Sequence, residues 1–193
     1  MTKSKLFNYE NGLVLLLGFT FGVVFFDRNA MGPLTPYIIN DLGLSNTQVG
    51  MLGSGLALAW AISAYTIGAW SDRNGSRKPF LLFSILIFSV CSVFSGLAGS
   101  FLILLLARVV MGAAEGPFLP VCLTIINEES SPKRRGINIG LTQTLFASLL
   151  GSVAAPLVLV WLAEKYDWRV AFFLTGIPGL ICAFLVWRFV REP

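Results

Sequence analysis

Apolar residues fall into six long runs, and polar or charged positions gather in the short stretches between them. The runs cover about 11–37, 47–70, 79–98, 101–126, 137–163 and 168–190. Each has the roughly 20 mostly apolar residues that carry an α-helix across a bilayer. The connections 38–46, 99–100 and 164–167 are short, which makes neighbouring helices antiparallel and leaves no room for an inserted soluble domain. The pattern predicts an all-α membrane protein with six transmembrane helices. Met1 to Lys5 has the basic character that opens a signal peptide, but the run behind it is long and no small-residue cleavage site precedes Asp27. A first spanning helix is expected there instead of a cleaved leader.

Composition agrees with this. Of 193 residues, 55% are hydrophobic and 12% charged, against about 25% charged in soluble domains; the mean hydropathy is +0.77. The net charge of +4 looks like a nucleic-acid signal until the basic residues are located. Lys3, Lys5, Arg73, Arg77, Lys78, Lys133, Arg134, Arg135, Arg188 and Arg191 fall on one side of the runs, and only Lys165 and Arg169 on the other. The positive-inside rule makes the first side cytoplasmic, with both termini inside and no nucleic-acid partner. The chain has no histidine, which removes the commonest metal ligand and general base. Cys91, Cys122 and Cys182 lie inside apolar runs without metal-ligand spacing and read as small buried hydrophobes. No metal or cofactor is expected. Without a nucleophile–base pair or a G-x-S-x-G element, neither is an enzyme.

Charge inside the runs changes the picture. Asp27 and Arg28 interrupt the first run, and Arg108 and Glu115 the fourth. An ionised group near a bilayer centre costs roughly 3 kcal/mol on insertion scales and is tolerated when it faces a protein interior or a water-filled cavity. Divided three plus three, the six helices make the first and fourth corresponding members of an inverted repeat, an arrangement that places substrate sites near the midplane. Adjacent helical residues do not face each other, so Asp27 and Arg28 cannot neutralise one another. Cross-pairing of Asp27 with Arg108 is expected, leaving Arg28 and Glu115 toward a cavity. Arg108 and Glu115, seven residues apart, share one helix face with Gly112, roughly 10 Å apart along the axis. Two acids and two bases sum to zero; protonating either acid leaves a positive site that attracts an anion. The planar arginine fork suits carboxylate or phosphate. Gln143, in the fifth run, is either a cavity group or a structural interhelical hydrogen bond. The small residues of the second run (Gly50, Gly53, Ser54, Gly55, Ala57, Ala59, Ala61, Ser63 and Ala64) predict close helix packing.

Between the second and third runs stands Gly68-Ala69-Trp70-Ser71-Asp72-Arg73-Asn74-Gly75-Ser76-Arg77-Lys78. By itself it is a tight turn at Gly75, with Asp72 placed to cap a helix or meet a base. It resembles the loop signature of the major facilitator superfamily, G-x-x-x-D-R-x-G-x-R-K, at every defined position. The pattern Arg108–Gly112–Glu115–Gly116 resembles that superfamily's fourth-helix motif. The stretch Phe26-Asp27-Arg28-Asn29, Ala155-Pro156-Leu157-Val158 and Gly176-Ile177-Pro178-Gly179 resemble its anion:cation symporter family, carriers of sugar acids and other organic anions. The fifth run lacks the G-P-x-x-G-G core of the drug antiporters.

The resemblance implies transport of a small organic anion, coupled to protons by alternating access in a bacterial inner membrane. It implies Arg28 on the substrate carboxylate, Asp27 and Glu115 as proton-carrying acids, and Arg108 coupling them. Gly68, Asp72, Arg73, Gly75, Arg77 and Lys78 would form a cytoplasmic gate. Organophosphate:phosphate antiporters and spinster-type lipid carriers are the alternative transporters, and a membrane sensor or scaffold the non-transport one. The superfamily has twelve helices in two halves, so this chain is expected to be the N-terminal half of that fold, its other half supplied by the same polypeptide, a separate chain or a second copy. Alone it is not expected to transport.

Overall fold

The computed structural model describes residues 9–192, apart from the side chains of residues 72 and 74. The topology signals at Lys3 and Lys5 and the expected role of the Asp72 side chain fall outside the described residues. Among the described residues six helices are long and apolar enough to cross a membrane: α1 (Tyr9–Leu42), α2 (Asn46–Asn74), α3 (Lys78–Gly96), α4 (Phe101–Glu129), α5 (Arg135–Lys165) and α6 (Trp168–Phe189). The chain is an integral, multi-pass membrane protein, and no strand occurs among the described residues.

The largest shift from the expected boundaries is in α1, which continues past Tyr37 to Leu42. It stops at Gly43, whose left-handed backbone (φ 63°) lets its N–H bond the Ile39 carbonyl; glycine adopts this conformation without a Cβ clash. The next helix then starts on a capping box between Ser45 and Gln48.

Two of the six helices are broken, and both breaks follow an ionisable residue. α1 consists of Tyr9–Arg28 and Met31–Leu42. α4 consists of Phe101–Glu115 and Phe118–Glu129. Proline explains both. Pro33 has no N–H to give the Asn29 carbonyl, and Pro117 none for the Ala113 carbonyl. The two helices that correspond under a three-plus-three division thus break at corresponding places. α5 is wound more loosely over 141–145 and 147–154, in the i→i+5 pattern of a π-helix.

The helices pack as α2 on α4, α3 on α6 and α1 on α5. The closest approach lies between α2 and α4: a Cβ at Gly112 would fall on the Leu56 carbonyl, and one at Gly116 on Ser63 and the Trp60 carbonyl. Small residues permit such backbone contact where lipid provides no hydrophobic drive. Those of α2 divide. Ser63 and Gly68 are buried and Gly55 packs on Leu105 and Val109, whereas Gly50, Gly53, Ser54, Ala57 and Ala61 are exposed. The expectation that this run is small because it packs holds for only part of it.

Apolar side chains form two separate buried clusters. One includes Val24, Cys91, Met111, Phe118 and Cys182; the other includes Ala30, Ala98, Leu104 and Phe172. Asp27, Ser92, Arg108 and Thr175 fall between these positions along α1, α3, α4 and α6. The charged layer lies at the seam between the two cores.

Candidate functional site

Asp27 is fully buried. Its Oδ1 accepts hydrogen bonds from Ser92 Oγ of α3 at 2.8 Å and Thr175 Oγ1 of α6 at 2.6 Å. Those two hydroxyls touch each other and also reach the Phe172 carbonyl, at 3.0 and 2.9 Å. The expected Asp27–Arg108 pair is absent: among the described residues no ion pair within 4.0 Å includes either group. Two hydroxyls from other helices stand where the arginine was expected, because α3 and α6 meet closely enough on Gly176 and Gly179 to bring both to one carboxyl oxygen.

Arg108 is also fully buried. Its guanidinium stacks over the Phe172 ring at 4.6 Å, with Nη1 3.5 Å from Met111 Sδ. It lies within electrostatic reach of both Asp27 and Glu115. The phenyl face offers a cation modest attraction but no hydrogen-bond acceptor, so Arg108 Nε and Nη2 have no protein partner among the described residues.

Arg28 points the other way. It is partly buried, with its guanidinium 4.6 Å from the centre of the Trp60 ring on α2. It lines a cavity of about 280 Å³ with Glu115 and the aromatic residues Phe21, Phe25, Trp60 and Phe118. Phe21 and Phe118 stack in parallel, ring centres 6.2 Å apart, and form a wall shared by α1 and α4. Glu115 is buried, and neither of its carboxyl oxygens has a protein partner among the described residues. An unpaired buried carboxyl is costly unless a proton, water or ligand meets it. The cavity thus holds one base and one acid on otherwise apolar walls.

The turn after Arg28 is anchored by Asn29, whose Nδ2 donates to the Gly151 carbonyl at 3.1 Å. In the i→i+5 winding of α5, the natural partner of that carbonyl is residue 156, a proline with no N–H. The loose winding and the proline together free an acceptor for the broken helix opposite.

Gln143 does not join this cavity. It is exposed on α5, next to Thr142, whose backbone faces Gly18. Gly18 precedes Arg28 by ten residues, about 15 Å along a helix.

The loop motif lies at the end of the bundle that carries most of the basic residues. Gly75 has φ 67° and ends α2. Gly68 is buried against Pro120, and Arg73 is exposed. Arg77 pairs with Glu128 of α4. The backbone N–H groups of Arg77 and Lys78 donate to Glu192, and Lys78 Nζ donates to the Trp187 carbonyl at 2.8 Å. The basic end of the motif therefore ties the α2–α3 turn to α4, to the last turn of α6 and to the chain after it. Nearby, Glu10 accepts from Asn138 Nδ2 at 2.7 Å and from Ser131, joining α1 to the start of α5 and the turn before it.

Sequence reading missed Ser92, Thr175, Trp60, Phe172, Asn29 and Glu128. Hydroxyls in apolar helices usually bond their own helix one turn back, as Ser89 does to Ile85 and Ser95 to Cys91. Ser92 is the exception in that row, and nothing in the sequence separates it from its neighbours.

The sequence model of the Major Facilitator Superfamily matches residues 17–193. The hexuronate transporter of Bacillus subtilis (strain 168) is 34% identical over 188 residues, covering 97% of this chain and 44% of that protein. The probable 4-methylmuconolactone transporter of Cupriavidus pinatubonensis is 35% identical over 162 residues, covering 83% of this chain and 38% of that one. Among solved structures, a bacterial homologue of the human lysosomal transporter Spinster, in an inward-facing and unoccupied conformation, superposes with a TM-score of 0.86 at 30% identity. That match covers 99% of this chain and 44% of the other. The chain spans less than half the length of these relatives.

Proposed function

This chain belongs to the Major Facilitator Superfamily, and on that premise we propose that it forms one wall of a transport path for a small organic anion, a sugar acid or related carboxylate, coupled to protons by alternating access. The observation that carries this reading is the cavity between α1, α2 and α4. Its guanidinium, Arg28, is oriented by Trp60 and not paired with an acid, and Glu115 stands unpartnered in the same cavity. A carboxylate entering there meets the arginine fork, with the carboxyl beside it available for a proton. The name of the similar hexuronate transporter agrees with an anionic cargo.

In this reading Asp27 and Glu115 carry protons, and Arg108, between them electrostatically, links the two. The loop from Gly68 through Asp72, Arg73 and Gly75 to Arg77 and Lys78 gates the cytoplasmic side. A second six-helix half supplies the facing wall, the membrane is the bacterial inner membrane, and both termini are cytoplasmic. The family and the similar proteins are transporters, not enzymes.

A spinster-type lipid cargo is the second reading. It draws on the 30% identity to the Spinster homologue and on the aromatic lining around Arg28.

The test is uptake of labelled hexuronate into liposomes containing the transporter made from its full coding sequence, under an imposed proton gradient. Accumulation that a protonophore abolishes is expected. Equilibration indifferent to the gradient would remove the proton coupling. Transport of a lysolipid in place of the acid would favour the second reading.

A further inference from the structure

We propose that Ser92 and Thr175 are positioning residues for the proton on Asp27: a pair of hydroxyls that keeps one carboxyl oxygen hydrogen-bonded in both protonation states and leaves the other to take the proton. This rests on the reading of Asp27 as a proton-carrying acid and goes beyond it in naming the groups that govern it.

The geometry carries the argument. Two hydroxyl oxygens, each with one proton and two lone pairs, lie between two acceptors. One is Asp27 Oδ1, at 2.8 and 2.6 Å. The other is the Phe172 carbonyl, at 3.0 and 2.9 Å. The hydroxyls are also in contact with each other. When the carboxyl is ionised, both donate to Oδ1. Oδ2 has no protein partner among the described residues, so an added proton forms its O–H bond there, on the oxygen with free lone pairs, while each hydroxyl stays on Oδ1 or turns to the Phe172 carbonyl as the charge is neutralised. No covalent bond breaks and no heavy atom moves. The hydroxyls hold Oδ1 in a layer between two apolar clusters, where an unpaired charge is most costly, and leave Oδ2 for the proton.

A purely structural pair would behave differently. Ser89 and Ser95 spend their hydroxyls on their own helix, whereas Ser92 reaches across to α1 and α6.

The titratable or charged groups around Asp27 are Cys91 from α3, Arg108 and Glu115 from α4, and Arg28 from α1, which points into the cavity. On α5 and α6 the charged residues Arg135, Glu164, Lys165, Arg169 and Arg188 lie near the helix ends, and the thiol of Cys182 is buried two turns beyond Thr175.

Infrared titration of the full-length transporter in liposomes tests this. The carboxyl band belonging to Asp27 is the one lost in Asp27→Asn. In Thr175→Val, which keeps the shape and removes the hydroxyl, its midpoint is expected to move to higher pH by about one unit, the scale of one lost hydrogen bond to a charged acceptor. Ser92→Ala should move it the same way. Thr175→Ser should restore the wild-type midpoint, which a packing role would not require. An unchanged midpoint in both hydroxyl deletions overturns the proposal, as does a band that does not change with pH. Uptake in the same liposomes reads the coupling separately: if the gradient drives nothing although the band shifts as expected, the hydroxyl pair stands and the transport role of Asp27 falls.

Discussion

Asp27 and Arg28 are neighbours in the chain, yet they serve two different regions of the molecule. Asp27 is fully enclosed between α1, α3 and α6, with one oxygen held by hydroxyls. Arg28 stands between α1, α2 and α4, on the wall of a cavity, against an indole ring. The helix turns about 100° per residue, so one step separates a sealed compartment from an accessible one. In the proposed mechanism the sealed side holds one proton-carrying acid, Asp27, and the open side holds the anion site together with the second, Glu115. In the same reading the two sides are linked through α4, where Arg108 stacks on Phe172 and Glu115, two turns along the same face, lines the cavity. A single arginine–aspartate pair would have fused these tasks.

The comparison can be broken most directly at Glu115. Glu115→Gln in the full-length transporter is expected to keep counterflow exchange of substrate and lose proton-driven accumulation completely. If an imposed pH gradient still concentrates the substrate, the open side does not need this acid for coupling. Arg28→Lys comes next. A point charge cannot reproduce a planar fork, so substrate affinity should fall roughly ten- to a hundredfold, the value of one strong charge-assisted contact. Equilibrium binding measures it, and wild-type affinity would remove Arg28 as the carboxylate clamp. The smallest effect is expected at Gln143. About 15 Å of α1 separates its level from Arg28, so Gln143→Ala should change affinity by less than about twofold. A larger loss in the same binding assay would extend the anion site onto the exposed face of α5.

Much of this arrangement is legible in the sequence. Six apolar runs gave six spanning helices, because a bilayer imposes length and hydropathy on each helix independently of its neighbours. The expensive placement of Asp27, Arg28, Arg108 and Glu115 marked them as a set, and their intervals fixed which could not face each other. The turn at Gly75 followed from its place in the loop motif. Other features were not legible. Asp27 meets Ser92 and Thr175 instead of Arg108 because α3 and α6 approach on Gly176 and Gly179, a contact between segments some 80 residues apart. The break after Arg28 is anchored by a carbonyl that Pro156 leaves free 122 residues further along the chain.

The sequence alone therefore determined the membrane class, the helix count, the family and the four charges within the spans, since each rests on local composition or spacing. The tertiary structure decided the partners: which hydroxyls hold Asp27, which ring orients Arg28 and which acid meets Arg77. Partner choice depends on helix rotation and approach distance. Those are set where small residues let two backbones touch, and no one-dimensional periodicity encodes which pair will do so.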